Sequence, residues 1–206
     1  TTEIYTLSLH DALPILGPWV IWGSTPEYSV ASDLHAVVYP YINPRFSKLC
    51  DTIIVVDDEP KSLSNRDGHA LMEKHPYRQG RIAQANQNFK VLLNAMQDGD
   101  WDTFQQITEV EALSLHALML SSEGGLVLWK GASLDWVHYI RNVRKNSGIP
   151  MAVTFDAGAN IHLLYHESVK DEVIKLLQMS PVPYKKLIHD QTGTGPQKLI
   201  DEFEKC

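Results

Sequence analysis

The sequence predicts an α+β domain, and three stretches carry that prediction. The first is Asp51-Thr52-Ile53-Ile54-Val55-Val56-Asp57, four consecutive β-branched apolar residues between acidic ends. Four in a row imply burial on both faces, so this is a central strand of a covered sheet. The second runs from Ala70 to Ser122, where apolar residues recur at helical spacing. The third is Met151-Ala152-Val153-Thr154-Phe155, an apolar run of strand length that stops at Asp156. It resumes as Ile161-His162-Leu163-Leu164-Tyr165 after Ala157, Gly158, Ala159 and Asn160. In order the elements read strand, helix pair, helix, strand, strand, helix, strand, which agrees with an α+β layer architecture.

The amino-terminal end is set aside. Residues 1–15 match, residue for residue, the in-frame translation of a widely used short-read sequencing adapter. They are expected to be an artefact, with residues 16–206 as the native part. Trp19 and Trp22 follow and read as core anchors. Within the long helical span, Ile82, Ala85, Phe89, Leu92, Leu93 and Met96 form one apolar stripe. Asp98-Gly99-Asp100 stops that helix and starts the next, with Gly as C-terminal cap and Asp as N-terminal cap. Phe104, Ile107, Val110, Leu113 and Ala117 continue the stripe on the second helix. His116 lies among them, either as a satisfied core histidine or as a group lining an active site.

Glu123-Gly124-Gly125 is a loop, and Ala132 to Asn146 is a third helix with Leu134, Val137, Ile140 and Val143 inward. Arg141, Arg144 and Lys145 occupy its last turns, where the helix dipole favours cations. The basic cluster is most simply a helix end. Gly148-Ile149-Pro150 ends that helix and launches the Asp156 strand. Glu167 to Met179 is a fourth helix, with Val169, Val173, Ile174 and Leu177 at helical spacing. Leu187 to Pro196 reads as a last strand and turn. Its Gly193-Thr194-Gly195 lacks the Lys-Ser/Thr and the following helix of a phosphate loop.

Composition narrows the function classes. The 206 residues are 44% hydrophobic and 21% charged, an ordinary globular balance, with a net charge of -7. Residues 1–15 hold Glu3 and Asp11 and no Lys or Arg, so residues 16–206 hold -5. That acidity argues against a nucleic-acid surface. No apolar run approaches the roughly 18 residues that suggest a membrane span. Cys50 and Cys206 are the two cysteines, without a Cys-x-x-Cys pair, which fits a reducing cytoplasm and no structural zinc.

Asp156 is the residue with two readings. An Asp near Gly commonly caps a turn through its own side chain. A carboxylate at a strand end, flanked by small residues, also leaves room for a ligand to approach.

Thr154-Phe155-Asp156-Ala157-Gly158-Ala159-Asn160 resembles the Thr-Phe/Leu-Asp-Ala-Gly-Pro/Ala-Asn signature of mevalonate diphosphate decarboxylases, in the GHMP kinase superfamily. Ala159 stands where many members have Pro. Gly17 to Gly23 resembles the aromatic patch that follows the family's phosphate loop. Lys61-Ser62-Leu63-Ser64-Asn65-Arg66-Asp67-Gly68-His69 is similar to the segment beside the substrate diphosphate. Asn65 there replaces a Ser and His69 a Met. Glu111 to Met119 resembles the family's helix with a His-Ala pair, and Gly193 to Pro196 its Gly-x-Gly-Pro close.

The resemblance implies a GHMP-type C-terminal domain, a mainly antiparallel sheet with helices packed on one face. It implies that the nucleotide-binding part, with its phosphate loop and Lys, lies outside this chain. The activity implied for the complete enzyme is ATP-dependent decarboxylation of mevalonate 5-diphosphate to isopentenyl diphosphate, with Mg2+. A mevalonate 3-kinase, a phosphomevalonate decarboxylase and a non-catalytic fragment are the alternatives. Asp156 would be the catalytic carboxylate. Arg66, Asn65 and the Ala157 N–H would hold substrate, an Arg fork suiting phosphate oxygens. Arg66 could equally be a solvated side chain at a helix start. The expected setting is cytoplasmic, with a small-molecule substrate, a possible homodimer, and neither nucleic acid nor membrane as partner.

Overall fold

The computed structural model describes residues 19–32, 34–59, 73–156 and 158–193. A small antiparallel pair, β1 (Val20–Ile21) and β2 (Val37–Val38), precedes the main sheet. The sheet is built from β3 (Leu49–Val55), β4 (Ala152–Phe155), β5 (Ile161–His166) and β6 (Lys186–Gln191). Their spatial order is β4-β5-β3-β6, and every neighbouring pair is antiparallel. Four helices complete the domain: α1 (Arg78–Asp98), α2 (Trp101–Leu120), α3 (Gly131–Ser147) and α4 (Lys170–Gln178). This is the expected α+β antiparallel architecture, with β3 as a central strand.

Alternate residues on a strand point to opposite faces, so the sheet divides its side chains between two cores. Cys50 and Ile54 of β3, Val153 and Phe155 of β4, and Ile161, Leu163 and Tyr165 of β5 share one face. They pack against Trp136, Val137 and Ile140 of α3 and Val173 and Leu177 of α4. Leu49, Ala152 and Leu164 point to the other face. There they meet Trp19, Phe46, Leu92, Ala95 and Met96 of α1, and Trp101 and Phe104 of α2. α3 and α4 thus cover one face of the sheet and residues of α1 and α2 meet the other, so the helices are not confined to the one face expected.

The link between α1 and α2 follows the expected caps. Gly99 adopts φ 77°, left-handed backbone that glycine takes without strain, and Asp100 accepts from the Thr103 N–H at 3.1 Å. The start differs, because the α1 helix begins only at Arg78, after a turn over 73–77. The stripe on α2 also differs. Trp101, Phe104, Thr108, Ala112, Leu115 and Met119 are buried, whereas Val110 and Leu113 are half-buried and Ala117 is exposed. Thr108 and Ala112 occupy the buried line, Ala112 packing with Val153 and Phe155 of β4, and hydrophobicity alone did not select them. On α3 the expected Val137 and Ile140 are buried and Trp136 joins them, whereas Leu134 is 43% exposed. Trp19 is a core anchor, but Trp22 is 45% exposed.

β4 is an edge strand of the sheet, and α2 covers it. The outward N–H of Val153 donates to Glu109 Oε1 at 3.3 Å. Covering an edge with a helix removes an unpaired ladder that other chains could extend. Among the described residues, no helix is long and apolar enough to cross a membrane.

Candidate active site

Asp156 lies one residue beyond β4, half-buried, where the chain turns towards β5. Three separate elements pin this turn. From α2, the His116 ring places Nε2 3.3 Å from the Asp156 carbonyl oxygen. From α3, the Ser133 hydroxyl donates to the Ala159 carbonyl at 2.6 Å, with Ser133 fully buried. From the turn itself, Asn160 Oδ1 accepts from the Val56 and Asp57 N–H groups at 3.0 and 3.1 Å, tying it to the end of β3. An amide oxygen that accepts two backbone donors satisfies both of its lone pairs.

The His116 ring is itself held by aromatics. Trp129 stacks on it at 4.6 Å with planes 15° apart, and Phe155 meets it edge-on at 5.4 Å and 62°. Trp129 and Phe155 touch each other at 5.2 Å. A carbonyl oxygen only accepts, so Nε2 carries the proton in this contact. Burial pushes the His116 pKa down to about 4, although the bond to the Asp156 carbonyl and the Asp156 charge both work the other way. The ring is therefore neutral at ordinary pH.

Behind the turn, Glu109 fixes the strand that presents Asp156. It is buried and accepts from Arg141 Nε and Nη2 at 3.1 and 3.0 Å and from Arg144 Nη1 at 2.5 Å. Arg144 also donates to the Met151 carbonyl at 2.7 Å, just before β4. The basic cluster at the end of α3 is thus more than a helix end: two of its members hold a buried carboxylate on α2. The spacing Arg141 to Arg144 puts both on one helical face, but nothing local announces the Glu109 partner 32 and 35 residues away.

At the open side, Lys130 Nζ lies 3.1 Å from Asp57 Oδ2. The Glu59 N–H and Lys130 together hold the Asp57 carboxyl below the usual range. Lys185 pairs with Asp58. Cys50 is buried in the core, and burial pushes its thiol up, which removes it as a nucleophile.

The structure brings Asp156 together with His116, so His116 meets the candidate site through the Asp156 backbone as well as packing in an aromatic core. Asn65, Arg66 and Ala157 lie outside the described residues, as do His69 and Gly195. Ser133 and Trp129 are supporting residues the sequence reading passed over. Asn160 was visible as the last residue of the signature. A serine early in a helix and a tryptophan in a loop gave no comparable signal.

The family described as mevalonate 5-diphosphate decarboxylase C-terminal domain matches residues 52–198. A phosphomevalonate decarboxylase from Haloferax volcanii is 25% identical over 155 residues, 75% of this chain and 46% of the relative. A diphosphomevalonate decarboxylase from Candida albicans is 25% identical over 211 residues, 93% of this chain and 57% of the relative. The chain therefore spans about half the length of these relatives. In structure, it superposes with a TM-score of 0.73 on MDDEF in complex with MVAPP, AMPPCP and magnesium. That match is 24% identical and covers 88% of this chain and 54% of the other, which supports the shared fold.

Proposed function

Because the chain belongs to the mevalonate 5-diphosphate decarboxylase C-terminal domain family, we propose that it is the C-terminal part of a diphosphomevalonate decarboxylase. The proposed reaction is ATP-dependent decarboxylation of mevalonate 5-diphosphate to isopentenyl diphosphate, ADP, phosphate and CO2. The nucleotide supplies the phosphoryl group that turns the tertiary 3-hydroxyl into a leaving group. The described residues contain no group of three or more His, Cys, Asp or Glu side chains that could hold a metal ion. A magnesium ion bound with the nucleotide would be held mainly by phosphate oxygens and water with one or two carboxylates, and would neutralise phosphate charge. The proposed setting is the cytoplasm, with a possible homodimer.

Within this reading Asp156 is the catalytic carboxylate. Its part is to orient the 3-hydroxyl or to take its proton as the oxygen attacks phosphorus. The observation that carries the role is the triple pinning of the 156–160 turn by His116, Ser133 and the β3 end. A turn residue needs no such support, whereas a reacting group held within a fraction of an ångström does. Arg66, Asn65 and the Ala157 N–H are proposed as substrate contacts.

The Haloferax volcanii relative supports a second reading, decarboxylation of the monophosphate. Assay of the full-length gene product with mevalonate 5-phosphate and mevalonate 5-diphosphate separates the two. Asp156→Asn in that protein tests the residue. We expect kcat to fall about 100-fold or more with little change in KM, since the amide is nearly isosteric and the diphosphate is bound elsewhere. Asn makes the same turn contacts as Asp, so a near-wild-type kcat would return Asp156 to a turn role.

A further inference from the structure

We propose that His116 is the positioning residue for Asp156: as the neutral Nε2–H tautomer it donates to the Asp156 carbonyl and fixes the backbone that presents the carboxylate. The inference rests on the reading of Asp156 as the reacting group. It starts from the direction of the contact. The ring projects from α2, a 20-residue helix, and reaches the main chain of Asp156 rather than its side chain. A trans peptide is planar, so holding the carbonyl fixes the plane that leads out of Asp156. Ser133 and Asn160 fix the far end of the same turn, at residues 159 and 160, and His116 contacts its first residue.

The ring's own freedom is removed by its neighbours. Trp129 lies flat on one face and Phe155 stands edge-on against it, and Phe155 is the residue immediately before Asp156. The cluster therefore locks the last residue of β4 through its side chain and the next through its main chain. A neutral donor suits the task. A cation at this place would stabilise the adjacent carboxylate and make it a weaker proton acceptor. Desolvation among Trp129 and Phe155 keeps the imidazole uncharged while leaving one N–H to give.

Two measurements test this. In the 206-residue chain, long-range nitrogen–proton spectra of the imidazoles should show His116 with Nε2 protonated and Nδ1 bare. The His116→Gln chain assigns the signal. A Nδ1–H tautomer, or an imidazolium at about pH 6, overturns the proposal. In the full-length gene product, His116→Leu removes the donor and keeps an apolar side chain, whereas His116→Gln keeps a neutral N–H. We expect Leu to lower kcat by about tenfold or more with KM within about twofold, and Gln to retain kcat within about threefold. Equal kcat for Leu and wild type refutes positioning, and an equal loss in both variants reduces His116 to packing. Asp156→Asn is assayed alongside. If it alone leaves kcat unchanged, the catalytic reading of Asp156 fails, and the tautomer result still decides whether the contact exists.

Discussion

Replacing Glu109 by alanine should destabilise the fold by about 4 kcal/mol, because this α2 carboxylate accepts from both α3 and β4. The estimate is built from its partners. Breaking a buried ion pair by removing one member costs about 3–5 kcal/mol, since the remaining charge loses its compensation. That range belongs to Arg144, whose side chain is 19% exposed. Arg141 is 42% exposed and regains water, so its share is at most about 1 kcal/mol. The Val153 N–H, buried under α2, loses its acceptor at a cost of about 1–2 kcal/mol. Arg144 keeps the Met151 carbonyl, which offsets part of the total. Glutamine at this position retains the volume and an acceptor for Val153 and gives up only the charge, so Glu109→Gln should cost about half as much. Urea unfolding followed by circular dichroism measures both, provided the m-value is unchanged. Arg141→Ala should cost under about 1 kcal/mol. A loss below about 1 kcal/mol for Glu109→Ala would refute the view that this carboxylate ties α2, α3 and β4 together.

Two other outcomes follow from the structure. The His116 pKa is about 4 in the fold against 6.5 for the free group, so the unfolded chain binds the proton more readily. Its contribution is complete above about pH 6.5 and shrinks as pH falls towards 4; between pH 7 and 5 the loss is about 2 kcal/mol. Wild type should therefore lose about that much more stability than His116→Gln over the same interval, and parallel curves would contradict the buried neutral ring. Gly99→Ala should cost about 2 kcal/mol, because φ is 77° and a Cβ would come within 2.8 Å of Asn43 Cγ. Thermal unfolding that shifts by less than about 2 °C would show that the loop simply moves aside.

Much of this layout was legible in the sequence where short-range rules apply. The run Ile53 to Val56 announces a strand covered on both faces, and Asp98-Gly99-Asp100 announces a helix stop and start, because caps and β-branched runs act within a few residues. The α2 stripe was misread because burial there is decided by tertiary packing, such as Ala112 against Val153 and Phe155 of β4. The role of Arg141 and Arg144 was hidden for a related reason: their partner Glu109 is on the preceding helix, 32 and 35 residues away. At the site, Asp156 and Asn160 stood out because a compact motif contains them, and His116 was noticed without its target. Ser133 was invisible, since a serine near a helix start has ordinary reasons to be there.

The 156–160 turn joins two neighbouring strands, yet none of its pins is local. The His116, Ser133 and Asn160 contacts close chain separations of 40, 26 and 104 residues. A hairpin of this kind cannot acquire its final shape when β4 and β5 first pair. It must wait for α2 and α3 to dock and for β3 to arrive, and loop closure over such distances comes late. Contacts made after the rate-limiting step retard unfolding without accelerating refolding. The hydrogen bonds that shape the candidate site therefore act as latches: they lengthen the lifetime of the assembled domain and leave the speed of its assembly to the core beneath.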